Sequence, residues 1–160
     1  MKRLALIRHA DATRDNPALK DFDRPLSVTG KNEAKNVALI FANSVEGQPR
    51  LITSPALRAL STAQIFAAAF GIAPTAITQE ASIYDATPGT LLHVINQLAE
   101  DDRPVFLFGH NPAISEFARV LGVTPFYELP TCGAVEFDLD APSWAEVVPG
   151  CGTVRRYEHP

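Results

Sequence analysis

Two histidines and three arginines in this chain have the types and settings that phosphoryl chemistry needs. Arg8 and His9 close the apolar run Leu4–Ile7. An imidazole at such a strand end can be neutral near pH 7 and nucleophilic. Attack on phosphorus would give a phosphohistidine, which water then discharges. Taken alone, His9 reads better as a solvated or hydrogen-bonded histidine. His110 shifts that balance, because it also follows an apolar run, Val105–Phe108, in the turn Gly109-His110-Asn111-Pro112. Gly109 permits close backbone approach there. Two histidines at two strand ends can flank one phosphoryl group, one attacking and one stabilising charge on its oxygens.

Arg8, Arg24 and Arg58 supply what such a transfer needs besides a nucleophile. Guanidinium groups grip phosphate oxygens in a fixed fork and stay charged. Held in place, they stabilise the charge spread over the moving group. A metal site built from His9, Asp11 and His110 is the competing reading. Against it stand the arginines, poor neighbours for a dication, and the lack of paired histidines or clustered carboxylates. The sequence has no Walker-type glycine loop. It also has no elbow or low-pKa setting for a serine or cysteine nucleophile.

The elements that must position these residues are legible from hydrophobic spacing. Leu4–Ile7 and Val105–Phe108 are continuous apolar runs, as strands buried on both faces would be. Leu51–Thr53 and Ile77–Glu80 read as short strands, and Asp11–Pro25 as a loop broken by Pro17 and Pro25. Thr29 is expected to cap a helix carrying Ala34, Val37, Ala38 and Phe41 at i, i+3, i+4, i+7 spacing. A second helix runs from about Ala56 to Phe70 and ends at Gly71. A third is capped by Thr87, with Pro88 at its first position, and runs through Leu98. Ala113–Leu121 is a fourth. Val135, Phe137 and Leu139 alternate with Glu136 and Asp138, which suits an antiparallel strand with one wet face. Trp144–Val148 and Thr153–Tyr157 are expected to extend that edge.

Strands alternating with helices predict a three-layer α/β/α fold with a mainly parallel sheet and an antiparallel C-terminal edge. Ligands bind such sheets just past the carboxyl ends of the strands. Arg8-His9, Ser54-Pro55-Ala56-Leu57-Arg58 and Gly109-His110-Asn111-Pro112 all fall at such ends, so they are expected to form one site.

The bulk properties agree with this picture. A chain of 160 residues, 46% hydrophobic and 20% charged, fits a single globular domain over residues 1–160. A net charge of -4 leaves no broad basic face, so nucleic acid is an unexpected partner. No apolar run approaches the roughly 20 residues that span a bilayer, and the N-terminal run is too short for a signal-peptide core. A cytoplasmic protein with no membrane partner is expected. Cys132 and Cys151 lack metal-type or CxxC spacing and read as reduced thiols.

The same residues resemble a known family. Leu6-Ile7-Arg8-His9-Ala10 is similar to the Arg-His-Gly signature of the histidine phosphatase, or phosphoglycerate mutase-like, superfamily. Ser54-Pro55-Ala56-Leu57-Arg58-Ala59 with Thr62-Ala63 resembles its second block, and Gly109-His110-Asn111-Pro112 its third. Arg24-Pro25-Leu26 with Thr29-Gly30 resembles the segment between the first two. Ala10 stands where the family's glycine usually does. The short chain and Pro130-Thr131-Cys132-Gly133 resemble the small SixA-type branch, whose members include phosphohistidine phosphatases.

The resemblance implies His9 as nucleophile, with Arg8, Arg58 and His110 around the phosphoryl group. Arg24 and Asn111 would contact substrate, and no cofactor or metal would be needed. Larger members carry a glutamate acid after the third strand; here the matching stretch reads Ile83-Tyr84-Asp85, with Asp85 the candidate acid. An alkoxide leaving group needs a well-placed proton donor, whereas an imidazole needs less help. The expected function is therefore a metal-independent phosphatase acting through phospho-His9, with phosphohistidine on a partner protein as substrate. A phosphatase of a small phosphorylated metabolite and a non-catalytic phosphate-binding module on the same fold are the alternatives.

Overall fold

A computed structural model describes all 160 residues. Six strands form one sheet: β1 (Lys2–Arg8), β2 (Arg50–Thr53), β3 (Thr78–Gln79), β4 (Val105–Gly109), β5 (Ala134–Leu139) and β6 (Gly152–Glu158). Four helices accompany them: α1 (Val28–Ser44), α2 (Leu57–Phe70), α3 (Pro88–Asn96) and α4 (Ala113–Leu121). The sheet order is β3-β2-β4-β1-β5-β6. β1, β2, β3 and β4 run parallel, and β5 and β6 add the antiparallel edge. The α/β architecture and its antiparallel C-terminal edge are those the sequence predicts.

Burial explains the two apolar runs. Leu4, Ala5, Leu6 and Ile7 of β1, and Val105 to Phe108 of β4, are fully buried, since helices cover both faces of these strands. On one face α1 and α2 pack Phe41, Phe66 and Ala34 against Ala5, Ile7, Phe106 and Phe108. On the other, α3 and α4 pack Leu91, Ile114 and Phe117 against Leu4, Leu6 and Leu107. Each Leu, Ile or Phe side chain among them, taken fully out of water, contributes about 1.5–3 kcal/mol.

Four local expectations need correction. The wet face expected of β5 is closed, since Glu136 is fully buried between Arg3 and Arg156. The cap of α1 is Ser27, whose Oγ accepts from the Gly30 N–H at 3.0 Å, so Thr29 lies inside the first turn. Ser27 wins because its hydroxyl also reaches the Asp11 carboxylate at 2.7 Å, tying the helix start to the loop after β1. The third helix stops at Asn96, a little short of Leu98. The Asn96 side chain donates to the carbonyls of Trp144 and Val147. Trp144–Glu146 is accordingly a short 3-10 turn beneath α3 with Trp144 fully buried, and it adds nothing to the sheet.

Topology creates the crevice. After β1 the chain leaves for α1 on one face, and after its neighbour β4 it leaves for α4 on the other. Diverging connections at adjacent parallel strands leave a gap at their carboxyl ends, where such sheets bind ligands.

Candidate active site

His9 sits at the floor of this crevice and is 8% exposed. Its backbone is fixed from three sides. Its N–H donates to the Gly109 carbonyl, its carbonyl accepts from Cys132 N–H, and the next N–H, of Ala10, donates to Thr62 Oγ1. Thr62 in turn donates to the Arg58 carbonyl, so the start of α2 and the end of β1 are locked together. The His9 ring is locked as well. Nδ1 lies 2.8 Å from the Ala10 carbonyl oxygen. A carbonyl only accepts, so Nδ1 carries the hydrogen and Nε2 keeps its lone pair. Arg58 Nε donates to that Nε2 at 3.3 Å.

His110 faces His9 with ring centroids 5.3 Å apart. Its Nε2 is 2.8 Å from Ser54 Oγ, at the end of β2. Burial pushes the His9 imidazole down to about 4, with help from Arg58, Arg8 and Arg24 and against the Ala10 hydrogen bond. Burial pushes His110 down to about 3, with His9 and Arg58 adding to it. Both rings are therefore neutral at pH 7, the state a nitrogen nucleophile requires.

The arginines gather round this pair. Arg8 donates through Nη1 to the Leu129 carbonyl at 3.0 Å. Arg58 donates through Nη1 to the Asp21 carbonyl at 2.7 Å and through Nη2 to Asp21 Oδ2 at 3.0 Å. Arg24 Nε stands 3.5 Å from Asp21 Oδ1, close in charge without a formed hydrogen bond. Several buried nitrogens here lack any partner: Arg8 Nε, Arg24 Nε and Nη1, and His110 Nδ1. Buried unpaired donors are costly and uncommon in folded proteins. The guanidinium nitrogens among them carry the charge and the free N–H groups that suit an oxyanion.

The comparison with known proteins settles the family. The model of the histidine phosphatase superfamily, branch 1, matches residues 4–89. The chain belongs to this superfamily. An uncharacterized chloroplastic protein of Arabidopsis thaliana is 33% identical over 154 residues, covering 91% of this chain and 70% of that protein. An uncharacterized protein of Mycobacterium tuberculosis is 28% identical, covering 96% and 99% of the two chains. Among solved structures, one from Agrobacterium tumefaciens assigned as the phosphohistidine phosphatase SixA aligns with TM-score 0.82 at 28% identity, over 99% and 98% of the two chains. A SixA protein histidine phosphatase complexed with tungstate shares the fold, with TM-score 0.81 at 24% identity over 99% and 97% of the two chains.

The superfamily match places His9, Arg24 and Arg58 inside the matched segment, while His110 follows it. The structure brings Arg8, His9, Arg24, Arg58 and His110 together. Asn111 is engaged elsewhere: its amide donates to Glu128 Oε1 and to the Leu129 carbonyl. It steadies the carbonyl that holds Arg8. Asp85 is exposed and forms no hydrogen bond or ion pair. Asp11 bonds Ser27, and no group of three metal-ligating side chains assembles. Two site residues escaped sequence reasoning, Asp21 and Tyr84. Tyr84 Oη donates to Asp21 Oδ2 at 2.8 Å, and its ring packs edge-on to His110 at 5.6 Å. The one local hint was the i,i+3 spacing of Asp21 and Arg24.

Proposed function

We propose that this chain, acting as one catalytic unit, is a metal-independent phosphatase working through a phospho-His9 intermediate, with phosphohistidine on a protein as its substrate. The observation that carries the reading is the neutral His9, its Nε2 lone pair facing Arg58 Nε, in a site where buried guanidinium nitrogens of Arg8 and Arg24 have no partner. Arg8, Arg24 and Arg58 bind the phosphoryl oxygens, and the lone pair of His9 Nε2 forms the N–P bond as the leaving group departs with its own electron pair. The Nδ1–H bond to the Ala10 carbonyl supports the positive ring that results. His110 adds a donor to the phosphoryl oxygens. Water then attacks phosphorus and frees His9.

Three features favour a protein phosphohistidine. Imidazole leaves without the strong acid an alkoxide needs. The one carboxylate hydrogen-bonded within the site, Asp21, is tied to Arg58 and Tyr84 and is not a protonated acid. Between Phe70 and Pro104 the chain forms only β3, short turns and α3, so that stretch builds no lid domain over the crevice.

Incubation with a generic phosphoryl donor and a basic quench tests the mechanism. Wild type should carry an acid-labile, base-stable label, and His9→Ala should carry none and lose at least about a thousandfold in turnover. Equal labelling of both proteins, or of neither, would overturn the reading. Full activity after metal chelation is the companion expectation.

A further inference from the structure

The segment before Arg24 folds back over the crevice and ends in an unusual contact. Asp21 lies in the turn Asp21–Asp23, and its carboxylate is 58% exposed while His9 beneath it is buried. Three groups surround that carboxylate: Arg58 Nη2 at 3.0 Å, Tyr84 Oη at 2.8 Å and Arg24 Nε at 3.5 Å. Phe22 packs edge-on to Tyr84 at 5.1 Å and fixes the turn in place. Arg58 spans the distance between floor and rim, with Nε on His9 and both Nη groups on Asp21. A phosphoryl group attacked by His9 in line holds its leaving atom on the side away from His9. Asp21, linked to His9 through Arg58 and far more exposed than it, stands toward the open side of the crevice, where a leaving group must exit.

We propose that Asp21 is a specificity-determining residue, whose carboxylate faces the leaving group and favours phosphohistidine, whose imidazole leaves with its other ring nitrogen protonated, over phosphate esters, which leave as oxyanions. This rests on the phosphatase reading above and goes beyond it by naming the group that selects the leaving atom. Protonated phosphohistidine is an imidazolium whose N–H lies on the ring nitrogen not bonded to phosphorus. A carboxylate beside it accepts that hydrogen bond and keeps the proton in place. As His9 Nε2 forms its bond to phosphorus, the P–N bond breaks. Its electron pair goes to the departing nitrogen, and the ring leaves as neutral imidazole with its hydrogen still on the other nitrogen. A phosphate ester gains nothing from Asp21. Its oxygen departs with negative charge, and an ionised carboxylate both repels that charge and has no proton to donate. The Tyr84 hydrogen bond first, then Arg58, hold the Asp21 carboxyl below its usual range against partial burial, which keeps it ionised.

The test compares two substrates on one protein. Steady-state kcat/KM is measured for phosphohistidine and for p-nitrophenyl phosphate with wild type, Asp21→Asn and Asp21→Ala, after thermal melts confirm folding. The ratio of the two values should fall roughly tenfold or more in both variants, the scale of one hydrogen bond between charged groups. Activity on the aryl phosphate should fall less than activity on phosphohistidine, because any loss through Arg58 is shared by both substrates. Equal loss on both substrates would show that Asp21 only aims Arg58, and no change on either would show that it is idle; each overturns the proposal. If wild type turned over neither substrate and left His9 unlabelled, the phosphatase reading itself would fall.

Discussion

At the scale of single residues, one hydrogen decides what His9 can do. Bonding of Nδ1–H to the Ala10 carbonyl commits Nε2 to the lone pair. Burial then keeps the ring neutral, and this has a consequence for stability. In the unfolded chain a histidine titrates near 6.5, whereas His9 titrates at about 4 and His110 at about 3 in the fold. Above the unfolded value both states are neutral and neither histidine contributes a pH dependence. As pH falls below it, the unfolded chain takes up protons that the fold refuses, so stability declines. We expect urea-unfolding stability to drop between pH 7 and pH 5 by on the order of 1–2 kcal/mol per histidine. Saturating inorganic phosphate should raise both pKa values, because a bound anion favours the charged ring. NMR titration of the ring carbons measures both effects.

The two histidines were legible because each follows an apolar run. Asp21 and Tyr84 were not, since the contacts that give them meaning join residues 37 and 63 positions apart. The motif fixes the place of Asn111 at the end of β4, but not the partners of its amide, which bonds the Glu128–Leu129 loop far along the chain.

At the scale of elements, the site depends on how closely α1 approaches the loop after β1. Gly30 sits in the first turn of α1, and a Cβ there would lie 2.1 Å from the Asp11 carbonyl oxygen. The contact is with backbone, so it cannot be relieved by rotating a side chain. Gly30→Ala should cost roughly 1–3 kcal/mol in denaturant melts, or more if α1 must shift, and should weaken activity through the loop that carries Arg24. Ser27 and Thr62 do related work, joining a helix start to the segment after β1. Hydrophobic spacing revealed the strands and the bodies of the helices because burial sets both. It failed at the ends, as with Thr29 and Leu98, because caps are chosen by partners such as Asp11 and Trp144 that lie far along the chain.

At the scale of the whole molecule, the two apolar layers isolate the interior from reagents. Cys132 is fully buried beside His9, and burial pushes its thiol up to about 12. Cys151 is half-buried, and both thiols are free. A thiol-specific reagent should therefore modify Cys151 in the folded protein and reach Cys132 only as the molecule unfolds. Mass spectrometry of partially labelled protein gives the order directly, and early labelling of Cys132 would contradict it. No helix is long and apolar enough to cross a membrane. The α/β class was readable from the alternation of strands and helices. The order of strands was not, since placing β4 between β1 and β2 depends on helix packing across both faces.

The two outer strands carry a final consequence. β3 has only two residues, and β6 takes a bulge opposite Glu136 and Phe137 and bears Arg155, Arg156 and Glu158. Short, bulged and charged edges are poor templates for another strand. The continuous Leu4–Ile7 and Val105–Phe108 runs, which would be aggregation hazards on an edge, lie in the middle of the sheet. The sequence that builds the floor of the crevice is thus also the sequence most in need of shielding from cross-β growth, and the sheet order shields it on both sides.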